Sequence, residues 1–237
     1  GLKLMTVGEQ GEDLKLVARE SLGDSQRLSI VNAGHTYTVM LPLAGAFQAS
    51  NALVAAALAI GLGDGPAKVI AALAALKGAP GRMEKVAFAA SGAPIYVDYA
   101  HTPDSLEKVL EALRPHTANR LHVVFGCGGD RDKGKRPQMG AIAVTLADNV
   151  IVTDDNPRSE DPTAIRREIL TAAPGAHEIP SRRVAIQTAV ASLEDGDVLV
   201  LAGKGHETGQ IVGDQVLPFS DKAEAVTAAL MIGGYGA

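Results

Sequence analysis

Four short apolar runs recur in the chain, each ending in a polar loop rich in glycine, proline or charge: PIYVD at 94–98, LHVVF at 121–125, NVIVT at 149–153 and DVLVLA at 197–202. Runs of this length without polar alternation suit strands covered on both faces. The first three lead through their loops into amphipathic stretches that begin near Pro103, Pro137 and Pro162. In the first of these, Leu106, Val109, Leu110 and Leu113 share one helical face. A strand, loop and helix repeated in this way closes into a parallel sheet with helices on both faces. The expected architecture is therefore α/β, a doubly wound, mostly parallel sheet.

The segment before these units reads differently. RLSIVNAGHTYTVMLPL alternates apolar and polar positions around Asn-Ala-Gly-His and predicts a β-hairpin. GAFQASNALVAAALAIGLG predicts an alanine-rich helix with Ser50 or Asn51 near its start and Gly61 or Gly63 closing it. A second helix over 66–76 puts Val69, Ile70, Leu73 and Leu76 on one face. KGAPGR at 77–82 then breaks the pattern. Two domains follow, 1–78 and 79–237.

Composition narrows the partners. A hydrophobic share of 46% supports an ordinary core, and the single cysteine, Cys127, excludes an internal disulfide. The net charge of -5, with aromatics at 3% and no Trp, argues against a nucleic-acid surface. Cations concentrate locally around 131–136, at 158 and at 166–167, which suits small anionic ligands. No apolar run approaches the roughly 20 residues of a membrane span, and the first residues carry no signal pattern, so no membrane association and a cytoplasmic location are expected.

In open α/β sheets ligands bind beyond the carboxyl ends of the strands. Asp98, Arg131, Asp155, Asn156, Arg158, Gly203 and Glu207 all follow a strand directly. The loop GCGGDRDKGKR at 126–136 comes within one letter of a phosphate-binding G-x-x-x-x-G-K-[ST] loop, but Arg136 stands where the magnesium-coordinating hydroxyl belongs, and Asp130 and Asp132 would repel a phosphate. Its glycines 126, 128 and 129 imply close approach of a ligand or a neighbouring strand. Arg131 offers a planar fork for a carboxylate, and Cys127 reads as a packing residue.

TDDNPRSEDP brings an acceptor, an amide and a guanidinium within four residues, a set that suits a zwitterion: Asp155 for an ammonium and Arg158 for a carboxylate. Asp161 caps the helix that Pro162 opens, as Thr102 caps the one opened by Pro103. In AGKGHETGQ, Lys204 and His206 read as solvated side chains.

Taken together, APGRMEKV, VDYAHTPDSLEKVL, VVFGCGGDRDKGKRPQMG, TDDNPRSEDP and AGKGHETGQIV, in this order and spacing, resemble the Mur ligase family, specifically its branch that adds meso-diaminopimelate to UDP-MurNAc-L-Ala-D-Glu in peptidoglycan synthesis. The resemblance implies a Rossmann-like carboxyl-terminal domain preceded by a partial central ATPase domain, with the family's own phosphate loop expected outside this sequence. It further implies ATP and Mg2+ as cofactors, with metal ligands outside this fragment, and meso-diaminopimelate and the UDP-MurNAc-dipeptide as partners. By motif, Asn51, Arg82, Asp98 and His101 match positions that reach ATP; Arg131, Asp155, Asn156, Pro157, Arg158, Gly203 and Glu207 match diaminopimelate contacts. No catalytic residue is assigned, and the fragment alone is expected to be inactive. The alternatives are a non-catalytic amino-acid-binding module, a folylpolyglutamate synthetase-like sibling, and a Rossmann dehydrogenase, which the lack of a G-x-G-x-x-G after any strand disfavours.

Overall fold

A computed structural model describes residues 4–237. The chain divides into two compact units, 1–77 and 78–237. In the first unit, β1 (Val7–Gly8), β2 (Leu14–Leu22), β3 (Ser25–Asn32) and β4 (His35–Leu41) form one sheet in sequence order. The β3–β4 turn is Ala33-Gly34, both with positive φ (46° and 79°), as a two-residue hairpin turn matched to strand twist requires. Helices α1 (Ala46–Gly61) and α2 (Pro66–Ala72) supply Leu53 and Ile70 to a core shared with Leu14, Leu28, Ile30 and Leu41.

Two features depart from the sequence reading. Strand β2 was not expected, because its side chains after Leu16 are exposed and polar or mixed, so no alternation marks it. Helix α1 starts at Ala46 behind Gly45, and the Gln48 N–H donates to the Gly45 carbonyl. Ser50 and Asn51 therefore lie in the second turn, where Asn51 is exposed. Gly63 does close the helix, with φ 111° and its N–H on the Ile60 carbonyl.

The second unit holds a seven-stranded sheet. Its elements in chain order are β5 (Glu84–Phe88), β6 (Pro94–Asp98), α3 (Pro103–Leu113), β7 (Leu121–Phe125), α4 (Lys135–Leu146), β8 (Asn149–Val152), α5 (Pro162–Leu170), β9 (His177–Glu178), α6 (Arg182–Ala191) and β10 (Val198–Ala202). A small hairpin, β11 (Gly209–Val212) and β12 (Gln215–Pro218), α7 (Asp221–Met231) and β13 (Tyr235–Gly236) complete it. The strand order is β13-β5-β6-β10-β7-β8-β9; β6, β10, β7, β8 and β9 run parallel, and β5 is antiparallel at one side.

The four expected strands and three expected helices are all present. Thr102 forms a capping box with Ser105, and the Asp161 carboxylate accepts the Thr163 N–H. The chain walks outward from β6 to β9 and then returns to place β10 between β6 and β7. Right-handed crossovers put the returning helices on the opposite face. There α6 and α7 bury Ala185, Ile186, Ala189, Ala225 and Ala229 against Ile95, Val97, Val124, Leu199 and Leu201. The inserted β10 matters most for function, since it delivers residues 203–207 between the loops that follow β6 and β7. No described helix is long and apolar enough to cross a membrane.

Candidate functional site

A cavity of about 520 Å3 opens at the carboxyl ends of β6, β7, β8 and β10. Arg131, Asp155, Asn156, Arg158, Gly203 and Glu207 all line it, together with His101. Four loops that are distant in sequence thus meet at one crevice, because the sheet order makes their strands neighbours.

Two of these loops are fastened to each other. The Gly129 N–H donates to the Asn156 carbonyl (2.9 Å), and Arg158 Nη1 donates to the Gly129 carbonyl (2.9 Å). The glycines are what allow this approach. A Cβ on Gly126 would lie 2.2 Å from the Thr153 oxygen, and one on Gly129 would lie 1.9 Å from the Pro157 oxygen. The Asp130 carboxylate accepts from the Ser159 N–H (3.1 Å) and hydroxyl (2.7 Å), and those bonds hold its pKa below the usual carboxylate value.

Arg136 is wholly buried and spans the same seam, donating to Glu160, Glu168 and the Gly128 carbonyl. Its guanidinium draws the Glu160 carboxyl down to about 2, helped by the Asp130 N–H. The residue that spoils the phosphate-loop pattern is thus a structural cation. Arg131, by contrast, is exposed and donates only to the carbonyl of Asp130 beside it (3.2 Å), which leaves most of its fork for a ligand. Cys127 is buried against Met139, and burial pushes its thiol up to about 12, a packing role.

Beneath Arg158 lies a polar cluster. Lys204 is fully buried, a correction to its reading as a solvated side chain: its Nζ donates to Asn156 Oδ1 (3.0 Å) and to Glu207 Oε2 (2.9 Å), with Asp155 Oδ1 at 4.0 Å. Asn156 Nδ2 also donates to Glu207 Oε2 (3.0 Å). The Asn156 amide and one Glu207 oxygen are therefore engaged by the protein, which bears on their expected contact with an amino acid. Burial raises the Glu207 carboxyl, but Asn156, Lys204 and nearby Arg158 outweigh it and hold the pKa below the ordinary value. Asp155 is buried as well, and desolvation raises its pKa despite Arg182 and Lys204 nearby. Gly203 makes room for it: with φ 118°, its Cβ position falls 2.7 Å from Asp155 Oδ2.

The positions matched to ATP are arranged less uniformly. The Asp98 carboxylate accepts the N–H groups of Met83 and Ala100 (2.7 Å each), and burial raises its pKa. Asp98 therefore orders the loop that carries Arg82. The Arg82 guanidinium sits 4.7 Å from the centre of the Tyr99 ring, which also meets His101 and His206. Asn51 belongs to the first unit, where it is exposed on α1. Sequence reasoning missed Lys204, Arg136 and Glu160, because charge in a loop ordinarily signals solvent.

Residues 81–205 match the family described as Mur ligase, glutamate ligase domain. The chain belongs to the Mur ligase family. Mur ligase relatives named UDP-N-acetylmuramoyl-L-alanyl-D-glutamate--2,6-diaminopimelate ligase include one from Caulobacter vibrioides, 58% identical over 228 residues, covering 96% of this chain and 47% of the relative. Another, from Bradyrhizobium diazoefficiens, is 58% identical over 234 residues, covering 97% and 48%. A solved structure of the same name superposes with a TM-score of 0.76 at 36% identity, covering 94% of this chain and 46% of that one. The chain spans about half the length of the curated relatives it matches.

Proposed function

We propose that this chain is the amino-acid-binding portion of an ATP-dependent amide ligase that joins meso-diaminopimelate to UDP-MurNAc-L-Ala-D-Glu. The observation that carries the reading is the shared cavity of Arg131, Arg158, Asp155 and Glu207, which places two guanidiniums and two carboxylates in one lining at converging strand ends. That charge pattern complements one zwitterionic end of a two-headed amino acid, with the distal carboxylate on the guanidiniums and the distal ammonium on Asp155 and the free oxygen of Glu207. The names of the relatives support the same substrate class.

Chemically, the D-glutamyl carboxylate would attack the γ-phosphorus of ATP; the bond from that phosphorus to the β–γ bridging oxygen breaks, ADP leaves, and an acyl phosphate forms. The near-end amine of diaminopimelate then attacks the acyl carbon, and the C–O bond to phosphate breaks as the amide forms. This chain contributes by anchoring the far end of the amino acid so that the near amine is held at a defined place, which converts an encounter into a positioned attack. Arg82, poised on Tyr99 by the Asp98-ordered loop, is the side chain offered to ATP phosphates, and His101 stands at the rim. Magnesium, expected beside the ATP phosphates, would neutralise their charge as the carboxylate attacks.

Isothermal titration of the 237-residue chain tests the reading. The expected result is binding of meso-diaminopimelate with L-lysine weaker by on the order of 10²- to 10³-fold, because lysine leaves a guanidinium without its carboxylate. Equal affinity for the two ligands would overturn it.

A further inference from the structure

Arg158 has an unusual backbone. Its φ is 52°, the left-handed region that side chains other than glycine, Asn and Asp seldom occupy. The β11–β12 hairpin holds it there. The Arg158 N–H donates to the Ile211 carbonyl (3.1 Å), and the Gly213 N–H donates to the Arg158 carbonyl (2.8 Å), so both backbone groups of the strained residue close onto the hairpin. A parallel bridge pairs Arg158 with Val212. Two more bonds reach the preceding residues: the Ile211 N–H meets Asn156 Oδ1 (2.9 Å), and Gln210 Nε2 meets the Asp155 carbonyl (2.6 Å).

The hairpin has little else to hold. No residue of Gly209–Pro218 belongs to the buried core, and all four residues of β12 are exposed. A two-stranded ribbon is marginal on its own, so the half-buried β11 strand depends on its neighbours, and its hydrogen bonds outside the hairpin go to 155–158. It also begins after Gly205, the last residue of the segment matched to the family.

We infer that the β11–β12 hairpin is the specificity-determining element of this cavity, a clamp that keeps Arg158 left-handed and thereby presents its guanidinium to the second carboxylate of a diacid amino acid. The inference rests on the diaminopimelate reading of the cavity. On the far side the Gly129 carbonyl steadies Nη1, so the residue is gripped through its backbone by the hairpin and through its side chain by the glycine loop. Released from the hairpin, the Arg158 backbone would relax to negative φ, and its side chain would leave the direction in which the cavity needs it.

The test compares affinities for meso-diaminopimelate and L-lysine in the 237-residue chain and two variants. In the first, a Gly-Ser-Gly link replaces residues 210–217. In the second, Gly213→Pro removes the N–H that the Arg158 carbonyl accepts, and because proline cannot adopt the φ of 57° found at Gly213, the exposed hairpin turn opens and releases Arg158. Both variants should lose about tenfold or more in diaminopimelate affinity while lysine affinity changes less than about twofold, so that discrimination collapses. A merely structural role would weaken both ligands alike and would overturn the inference, as would discrimination that survives in the variants. Should the link variant fail to fold, Gly213→Pro decides alone. A wild-type chain without any preference would overturn the diaminopimelate reading and this inference with it.

Discussion

Lys204 Nζ and Glu207 Oε2 lie 2.9 Å apart, with the lysine wholly buried under a carboxylate that faces the cavity. Removing one partner of a buried pair exposes the other to uncompensated desolvation, at about 3–5 kcal/mol in full burial. Glu207 keeps a 32% exposed side chain, so solvent screening reduces the cost here to about 2 kcal/mol. Lys204→Met should therefore lower the thermal midpoint by about 4–8 °C, and a second change, Glu207→Gln, should recover part of that loss. Differential scanning calorimetry of the wild type and the two variants checks both statements.

Arg158 separates binding from folding. Alanine at 158 meets the same left-handed backbone requirement as any branched or long side chain, so Arg158→Ala isolates the guanidinium. A hydrogen-bonded charge pair with a ligand carboxylate is worth about 1.5–3 kcal/mol, so diaminopimelate affinity should fall about 10- to 150-fold, while loss of the Arg158–Gly129 bond should lower the thermal midpoint by only about 1–6 °C. Titration calorimetry and a melting curve on the same preparation give the two readouts.

Gly129 is constrained by space rather than by φ. Its added Cβ would fall 1.9 Å from a backbone oxygen, Pro157 O, and no flexible side chain can yield there. Gly129→Ala must push the 126–136 loop away from 155–158, breaking the Gly129–Asn156 bond and the Arg158–Gly129 bond. Diaminopimelate affinity should drop by tenfold or more, and stability by about 1–3 kcal/mol as in other overpacked sites. Gly65→Ala is the control, since its Cβ would meet nothing within 4 Å and, as the N-cap of α2, the change should cost up to about 1 kcal/mol with no effect on diaminopimelate affinity. Equal effects of the two changes would show that the loops are not interlocked.

Much of this arrangement is legible in the residues themselves. PIYVD, LHVVF, NVIVT and DVLVLA identify the buried strands because nothing but a doubly covered sheet tolerates such runs, and Pro103 and Pro162 mark helix starts through their own backbone chemistry. Strand order is not legible. Nothing local in DVLVLA says that it enters between β6 and β7, since that placement follows from the direction of the whole walk of the chain. The same limit hid Lys204 and Arg136: a lysine between glycines or an arginine after KGK reads as solvated, and only the partners Asn156, Glu207, Glu160 and Glu168, brought from other loops, show that these cations are enclosed. Strand β2 and the β11–β12 hairpin went unread because half-exposed ribbons carry no apolar signature.

The seam between the two binding loops should also set the acid limit of the fold. Glu160 accepts from Arg136, Lys133 and the Asp130 N–H, and its carboxyl is pulled from 4.5 to about 2. A folded-state pKa below the unfolded one means that the unfolded chain binds the proton first, so stability from this group is full above about 4.5 and is lost as pH falls through about 2. Glu160→Gln removes the titration. The difference in thermal midpoint between wild type and variant should stay constant above about pH 5 and shrink steadily between about 4.5 and about 2. Melting curves taken at half-unit pH steps across that window test this, and a difference that stays flat down to pH ~2 would show that the seam does not depend on an ionised Glu160.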